Sequence, residues 1–222
     1  MTTYVVGSLP PPPEGTRYVL RQAGGHHEQN GDNLVIQVQF LKVEDITRRF
    51  QRPCILDIKL KADVHDPFSA HSSHPIYTFA QKYNFLIDGI QVYHKNTNRY
   101  VSFGKSFGRW LDEDGVERGL LTFLNADSGV NEFLICAFLE RLEKIKTWAN
   151  QQCHFSFYRS SLLLVYDAVD HPAFNRNEAL AITDVRMVDF AKVYSSSETD
   201  CKYENAIGNF MQCLRKLLPC KK

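Results

Sequence analysis

Pro53-Cys54-Ile55-Leu56-Asp57-Ile58-Lys59-Leu60 is the stretch on which the reading of this chain turns. Side chains of a β-strand alternate between its two faces, so Cys54, Leu56, Ile58 and Leu60 point one way and Ile55, Asp57 and Lys59 the other. The first face is wholly apolar and asks to be buried. The second carries a carboxylate and an ammonium two positions apart. Such charges on a buried strand need partners or a ligand. From the pattern alone they are either a structural ion pair or part of a site.

Working outward, the same period marks other strands. Upstream, Tyr18-Val19-Leu20 and Leu34 to Leu41 read as strands, separated by a Gly-, His- and Asn-rich loop over Ala23 to Asp32 and preceded by the polyproline run Pro10 to Pro13. Asp45 is placed to cap a short helix over Ile46 to Phe50. Downstream, Phe85 to His94 and Tyr100 to Phe103 read as strands joined by a turn at Asn96 to Arg99. Phe155 to Tyr166 is a strand with the apolar run Leu162 to Tyr166, and Ala181 to Phe190 is a strand ending at Asp189. Asn131 to Gln151 is the strongest helix, with Leu134, Phe138, Leu142, Ile145 and Trp148 at three- or four-residue spacing. Tyr203 to Leu218 closes the chain as an amphipathic helix, His65 to Lys82 reads as a loop and short helix, and His171 to Ala179 as a polar loop.

Bulk properties exclude several classes. The 222 residues are 44% hydrophobic and 23% charged, enough for one sizeable core or two small lobes. A net charge of +1 gives no global field for nucleic acid, and no basic stripe is present, so a polyanion site must be a local cluster of cations. No apolar run reaches the length of a membrane span. The N-terminal residues lack the pattern of a signal peptide, so the expected compartment is cytoplasmic, nuclear or both, and a monomer is expected. The six cysteines lack a C-x-x-C pair and are expected to be reduced, mostly buried thiols. The histidines lack metal-ligand spacing, Ser160 lacks a nucleophile elbow, and there is no P-loop.

What remains is two apolar strands that display carboxylates, Asp57 and Asp189, with Lys59 beside the first. Phosphoryl transfer uses such parts: carboxylates hold Mg2+ on nucleotide phosphates, and a cation steadies the moving group.

In these residues the chain resembles the inositol polyphosphate kinase family, whose members share P-x-x-x-D-x-K-x-G, a later S-L-L segment and a terminal I-D-F. Here stand Pro53 to Lys59, then Ser161-Leu162-Leu163, then Val188-Asp189-Phe190, in that order. Phe40 to Thr47 is similar to the family's hinge segment, and Asp66-Pro67-Phe68, Gly89 to Tyr93, Gly108-Arg109 and Phe157-Tyr158 fall where the family has like residues. The resemblance spans about residues 34–218.

The resemblance implies an α+β, two-lobed kinase-like fold, with a shortened N-terminal lobe and hinge strand over residues 1–42 and a larger catalytic C-terminal lobe over 43–222. It implies transfer of the γ-phosphate of ATP to a soluble inositol phosphate with Mg2+. Backbone groups from Glu44 to Ile46 would hold the adenine, and Asp57 the ribose hydroxyls. Lys59 would contact the transferred phosphate, and Asp189 would hold Mg2+. Ser160 or Ser161 would lie near the phosphates, with Lys59, Lys82 and Lys192 as substrate cations. Lys61, His65 and Arg109 are further candidate cations.

The chain departs from the family pattern at three places. Lys61 stands where the motif has glycine, and a lysine is not expected to copy glycine's backbone freedom. Ser69 to Gln81 is poor in basic side chains for a substrate segment. No lysine precedes Lys42, leaving Arg21 as the candidate for the first lobe's phosphate cation. The alternative is therefore a degenerate member that binds nucleotide or inositol phosphate without efficient turnover.

Overall fold

The computed structural model of the chain describes residues 3–5, 18–30, 33–61, 78–125, 129–168 and 175–219. The fold is α+β. The chain divides into two compact units, Met1–Arg49 and Phe50–Lys222.

In the first unit, β1 (Thr3–Val5), β2 (Tyr18–Asn30) and β3 (Asn33–Glu44) form an antiparallel sheet in the order β1-β3-β2. β2 runs through the region expected to be a loop. Its weak strand formers are carried by register with β3, and a shift between Gln22 and Gly24 absorbs the irregularity. Beyond β3, residues 46–49 are a turn and not the expected helix, because Asp45 Oδ1 accepts from both N and Oγ1 of Thr47, at 3.0 and 2.7 Å, and closes the chain locally.

The second unit is built on β4 (Pro53–Leu60). Helix α1 (Thr78–Tyr83) leads into β5 (Phe85–His94) and β6 (Arg99–Phe103). Then come α2 (Lys105–Gly108), α3 (Glu113–Phe123) and α4 (Glu132–Gln151). They are followed by β7 (Phe155–Phe157), β8 (Ser161–Asp167), α5 (Arg176–Ala181), β9 (Thr183–Val188), β10 (Val193–Ser195) and α6 (Cys201–Lys216). The main sheet is antiparallel in the order β6-β5-β4-β8-β9, and β7 pairs with β10 separately. β4 therefore lies at the centre, as its composition requires. Cys54, Leu56, Ile58 and Leu60 are all fully buried in one core with Leu120 and Phe123 of α3, Leu134, Phe138 and Leu142 of α4, and Ile207, Phe210 and Leu214 of α6.

Helices α2 and α3 were not evident from the sequence pattern. α3 starts on Asp112, whose Oδ1 accepts from Gly115 N at 2.8 Å. Its glycines lower helix propensity but serve packing: a Cβ on Gly119 would lie 3.2 Å from Ile87 Cδ1. At Gly108 the approach is closer still, since a Cβ would fall 1.7 Å from the Ile87 carbonyl oxygen. α5 replaces the end of the expected polar loop, with Asn175 Oδ1 accepting from Glu178 N at 3.0 Å. The strand expected over Phe155 to Tyr166 is broken, because the chain changes partners from β10 to β4 and β9 with Arg159 in the left-handed region at φ 55°. Of the described cysteines only Cys54 is buried, which corrects the expectation of mostly buried thiols; Cys136 and Cys201 are exposed.

Candidate active site

Sheet register assembles the site. Lys59 of β4 lies opposite Ser161 of β8, and Ser161 lies opposite Val188 of β9. These three share the face away from the helices, and Asp189 follows at once. Lys59 Nζ lies 2.7 Å from Asp189 Oδ2, and the Ser161 hydroxyl lies 3.4 Å from the same oxygen. Ser161 lies near Asp57 as well, close enough to help hold that carboxyl down. Lys59 is nearly buried, while the Asp189 side chain remains 42% exposed.

Asp57 is the electrostatically strained member. Burial holds its carboxyl above the ordinary carboxylate range; Ser161 and Lys59 pull it down, while the charges of Asp88 and Asp189 push it up. Its Oδ1 is buried with no hydrogen-bond partner among the described residues. The β5 residue opposite it, Gly89, offers no side chain. Asp88 is the extra residue where the register shifts between Asp57 and Ile58, and its carboxylate is 3.5 Å from Lys105 Nζ. The sequence reading missed Asp88, and its only signal is an acidic residue inside an otherwise apolar strand.

Three charged residues at this end of neighbouring strands are left-handed: Lys61 after β4 at φ 49°, Arg159 before β8 at φ 55° and Asp189 after β9 at φ 63°. Lys61 therefore does adopt the glycine-like angle, contrary to expectation. Its ammonium reaches both Asp200 oxygens, at 3.0 and 2.8 Å, and lies 4.1 Å from the Tyr158 ring centroid. Both side chains are about 95% buried, which removes Lys61 from the candidate substrate cations.

The two serines separate. Ser160 Oγ bonds Tyr203 Oη at 3.1 Å in the core, and burial raises the Tyr203 phenol. Ser161 faces Asp189. Lys192 lies in the turn after Asp189, where its carbonyl accepts from Tyr158 N at 2.9 Å. Lys82 sits elsewhere: 64% exposed, it pairs with Glu113 of α3 and is not among the residues gathered at Asp189. His65 falls outside the described residues. Glu44 and Ile46 belong to the first unit, at the end of β3 and in the turn after it.

No group of three or more His, Cys, Asp or Glu side chains able to enclose a metal ion occurs among the described residues. Asp189 fits a hard divalent cation in another way, as one carboxylate beside ligand phosphates and water, the usual arrangement for Mg2+.

Comparison with known proteins agrees with the topology. The sequence profile of the family described as inositol polyphosphate kinase matches residues 40–220. The inositol polyphosphate multikinase of Mus musculus is 34% identical over 140 residues, covering 60% of this chain and 35% of that protein. That of Homo sapiens is 29% identical over 187 residues, covering 76% and 44%. Inositol hexakisphosphate kinase 3 of Mus musculus is 27% identical over 166 residues, covering 69% and 42%. The chain thus spans less than half the length of these relatives. Among solved structures, an inositol phosphate multikinase of S. cerevisiae in complex with ADP and Mn2+ superposes with a TM-score of 0.67 at 19% identity, covering 82% of this chain and 85% of that one. The match over residues 40–220, most of the chain, is decisive: this chain belongs to the inositol polyphosphate kinase family.

Proposed function

We propose that the chain transfers the γ-phosphate of ATP to a soluble inositol phosphate, with Mg2+ as the divalent ion. The observation that carries this reading is the convergence of Lys59 and Ser161 on one Asp189 carboxylate oxygen, with an Asp57 oxygen that has no partner among the described residues on the same face. The solved relative that binds ADP and Mn2+ supports nucleotide and divalent-metal use.

Each residue has a part it is chemically able to play. Asp57 Oδ1 is a buried acceptor without a donor among the described residues, and a ribose hydroxyl would supply one. Asp189 is exposed enough to reach a metal ion, which when bound neutralises charge on the nucleotide phosphates. Lys59, 2.7 Å from Asp189, is a cation placed to contact a phosphate at the same carboxylate. Ser161 offers its hydroxyl to Asp189 at 3.4 Å and so helps orient that carboxylate. Lys192 is proposed as a substrate cation by its place in the turn after Asp189.

The test is a product-resolved assay with Mg-ATP across a panel of inositol phosphates, comparing wild type with Asp189→Ala. Turnover that depends on Asp189 supports the reading. Wild-type turnover no greater than that of the variant overturns it, and nucleotide binding without turnover identifies the degenerate alternative.

A further inference from the structure

We infer that Lys61 is a positioning residue for Asp189, acting through a buried ion pair that fastens the turn after β9. The inference rests on the reading of Asp189 as the metal carboxylate.

The linkage is continuous. Lys61 follows β4 and directs its ammonium to both oxygens of Asp200. Asp200 caps α6 by accepting from Tyr203 N at 3.2 Å, and it also accepts from Phe157 N at 2.9 Å and Ser156 Oγ at 3.1 Å. It therefore fixes β7. On β7 hangs the chain that follows Asp189: Tyr158 N donates to Lys192 O, Val193 and Tyr194 pair with Phe157 and Ser156, and the Phe157 and Phe190 rings meet edge to face at 6.2 Å. From the other side Lys59 grips the Asp189 carboxylate directly. Two lysines, two positions apart at and just beyond the end of β4, thus hold one turn from two directions.

The left-handed angle at Lys61 gives the arrangement its form. That conformation is natural for glycine and costly for lysine, so a lysine held there is paid for by its surroundings. The surroundings are the pair with Asp200 and the Tyr158 ring. Asp200 keeps three donors without Lys61, so the ammonium adds charge balance and rigidity rather than the only bond.

Hydrogen exchange on the full chain tests this, comparing wild type with Lys61→Gly and Lys61→Met. Glycine accepts the left-handed angle freely, so loosening in that variant comes from the lost ammonium and not from backbone strain. The expected result is exchange at least about tenfold faster across residues 156–160 and 189–195 in both variants, with the 85–103 hairpin unchanged. Binding of Mn2+ with ADP should weaken about three- to tenfold in parallel. Unchanged exchange at 189–195, or equal acceleration in the reference hairpin, overturns the proposal. So does failure of both variants to fold, which makes the pair a support of the whole domain. Asp189→Asn, measured for binding of Mn2+ with ADP, tests the underlying reading separately, because the exchange result does not depend on it.

Discussion

The Lys59 ammonium and the Asp189 carboxylate meet at 2.7 Å although they stand 130 positions apart in the chain. β8 bridges them, with Ser161 opposite both Lys59 and Val188. Lys59→Met and Asp189→Asn should each lower turnover by about a hundredfold or more. Lys59→Met removes the nearly buried charge and should cost no more than about 1 kcal/mol of stability, whereas Asp189→Asn leaves that ammonium without its carboxylate and should cost about 1–3 kcal/mol. Steady-state kinetics and urea unfolding of both variants check this, and a large loss of stability would make the pair structural.

Asp57→Asn should stabilise the fold while weakening nucleotide binding. Burial raises the Asp57 carboxyl in the folded state. A carboxyl raised in this way adds stability below its unfolded value and loses it as pH climbs through the folded value. At neutral pH the ionised group is thus a net cost, and the amide should raise stability by on the order of 1 kcal/mol. That advantage should shrink as the medium is acidified through the carboxylate range. Thermal melts across pH, with ADP titrations at neutral pH, decide the matter.

Tyr166→Phe should damage the core and spare the site. Tyr166 Oη donates to Phe123 O and accepts from Asn125 Nδ2, both at 2.8 Å, and burial raises its phenol. Removing the hydroxyl takes a donor from Phe123 O and one acceptor from Asn125 Nδ2, which keeps its bond to Tyr93 O, and should cost about 1–3 kcal/mol by urea unfolding. Nucleotide affinity should not change.

Gly108→Ala should be among the more damaging single-methyl additions. The new Cβ would lie 1.7 Å from the Ile87 carbonyl oxygen, a backbone atom that cannot swing aside. A loss of about 2–3 kcal/mol is expected, read by chemical denaturation.

Lys82→Ala, by contrast, should change the KM for inositol phosphate by no more than about twofold, because the exposed pair with Glu113 lies on α1 and α3. A tenfold rise would restore Lys82 to the substrate site.

The centre of the fold was legible where one physical signal dominated. β4, β5 and α4 are strongly periodic, and the structure places them within a few residues of expectation. That Asp57, Lys59 and Asp189 share a site was an implication of the family resemblance, and the contact of Lys59 with Asp189 was not itself read from the sequence. Elements in which propensity and tertiary context disagree were not legible. Gly115 and Gly119 hid α3, whose start is nonetheless marked by Asp112 followed by Glu113 and Asp114. Gly24 and Gly25 hid the continuation of β2. The partner of Lys61 could not be read at all, because the ion pair with Asp200 depends on two strand ends and a helix start meeting in space.

Asp189 is left-handed at φ 63°, a conformation that aspartate, asparagine and glycine accept more readily than other residues. Of these, only aspartate carries the charge. Glutamate would keep the charge and resist the angle; asparagine would keep the angle and lose the charge. Aspartate meets both requirements at the lowest conformational cost, and substitution there separates the two. Asp189→Asn isolates electrostatics on an intact backbone, whereas Asp189→Glu would report on conformational tolerance under constant charge.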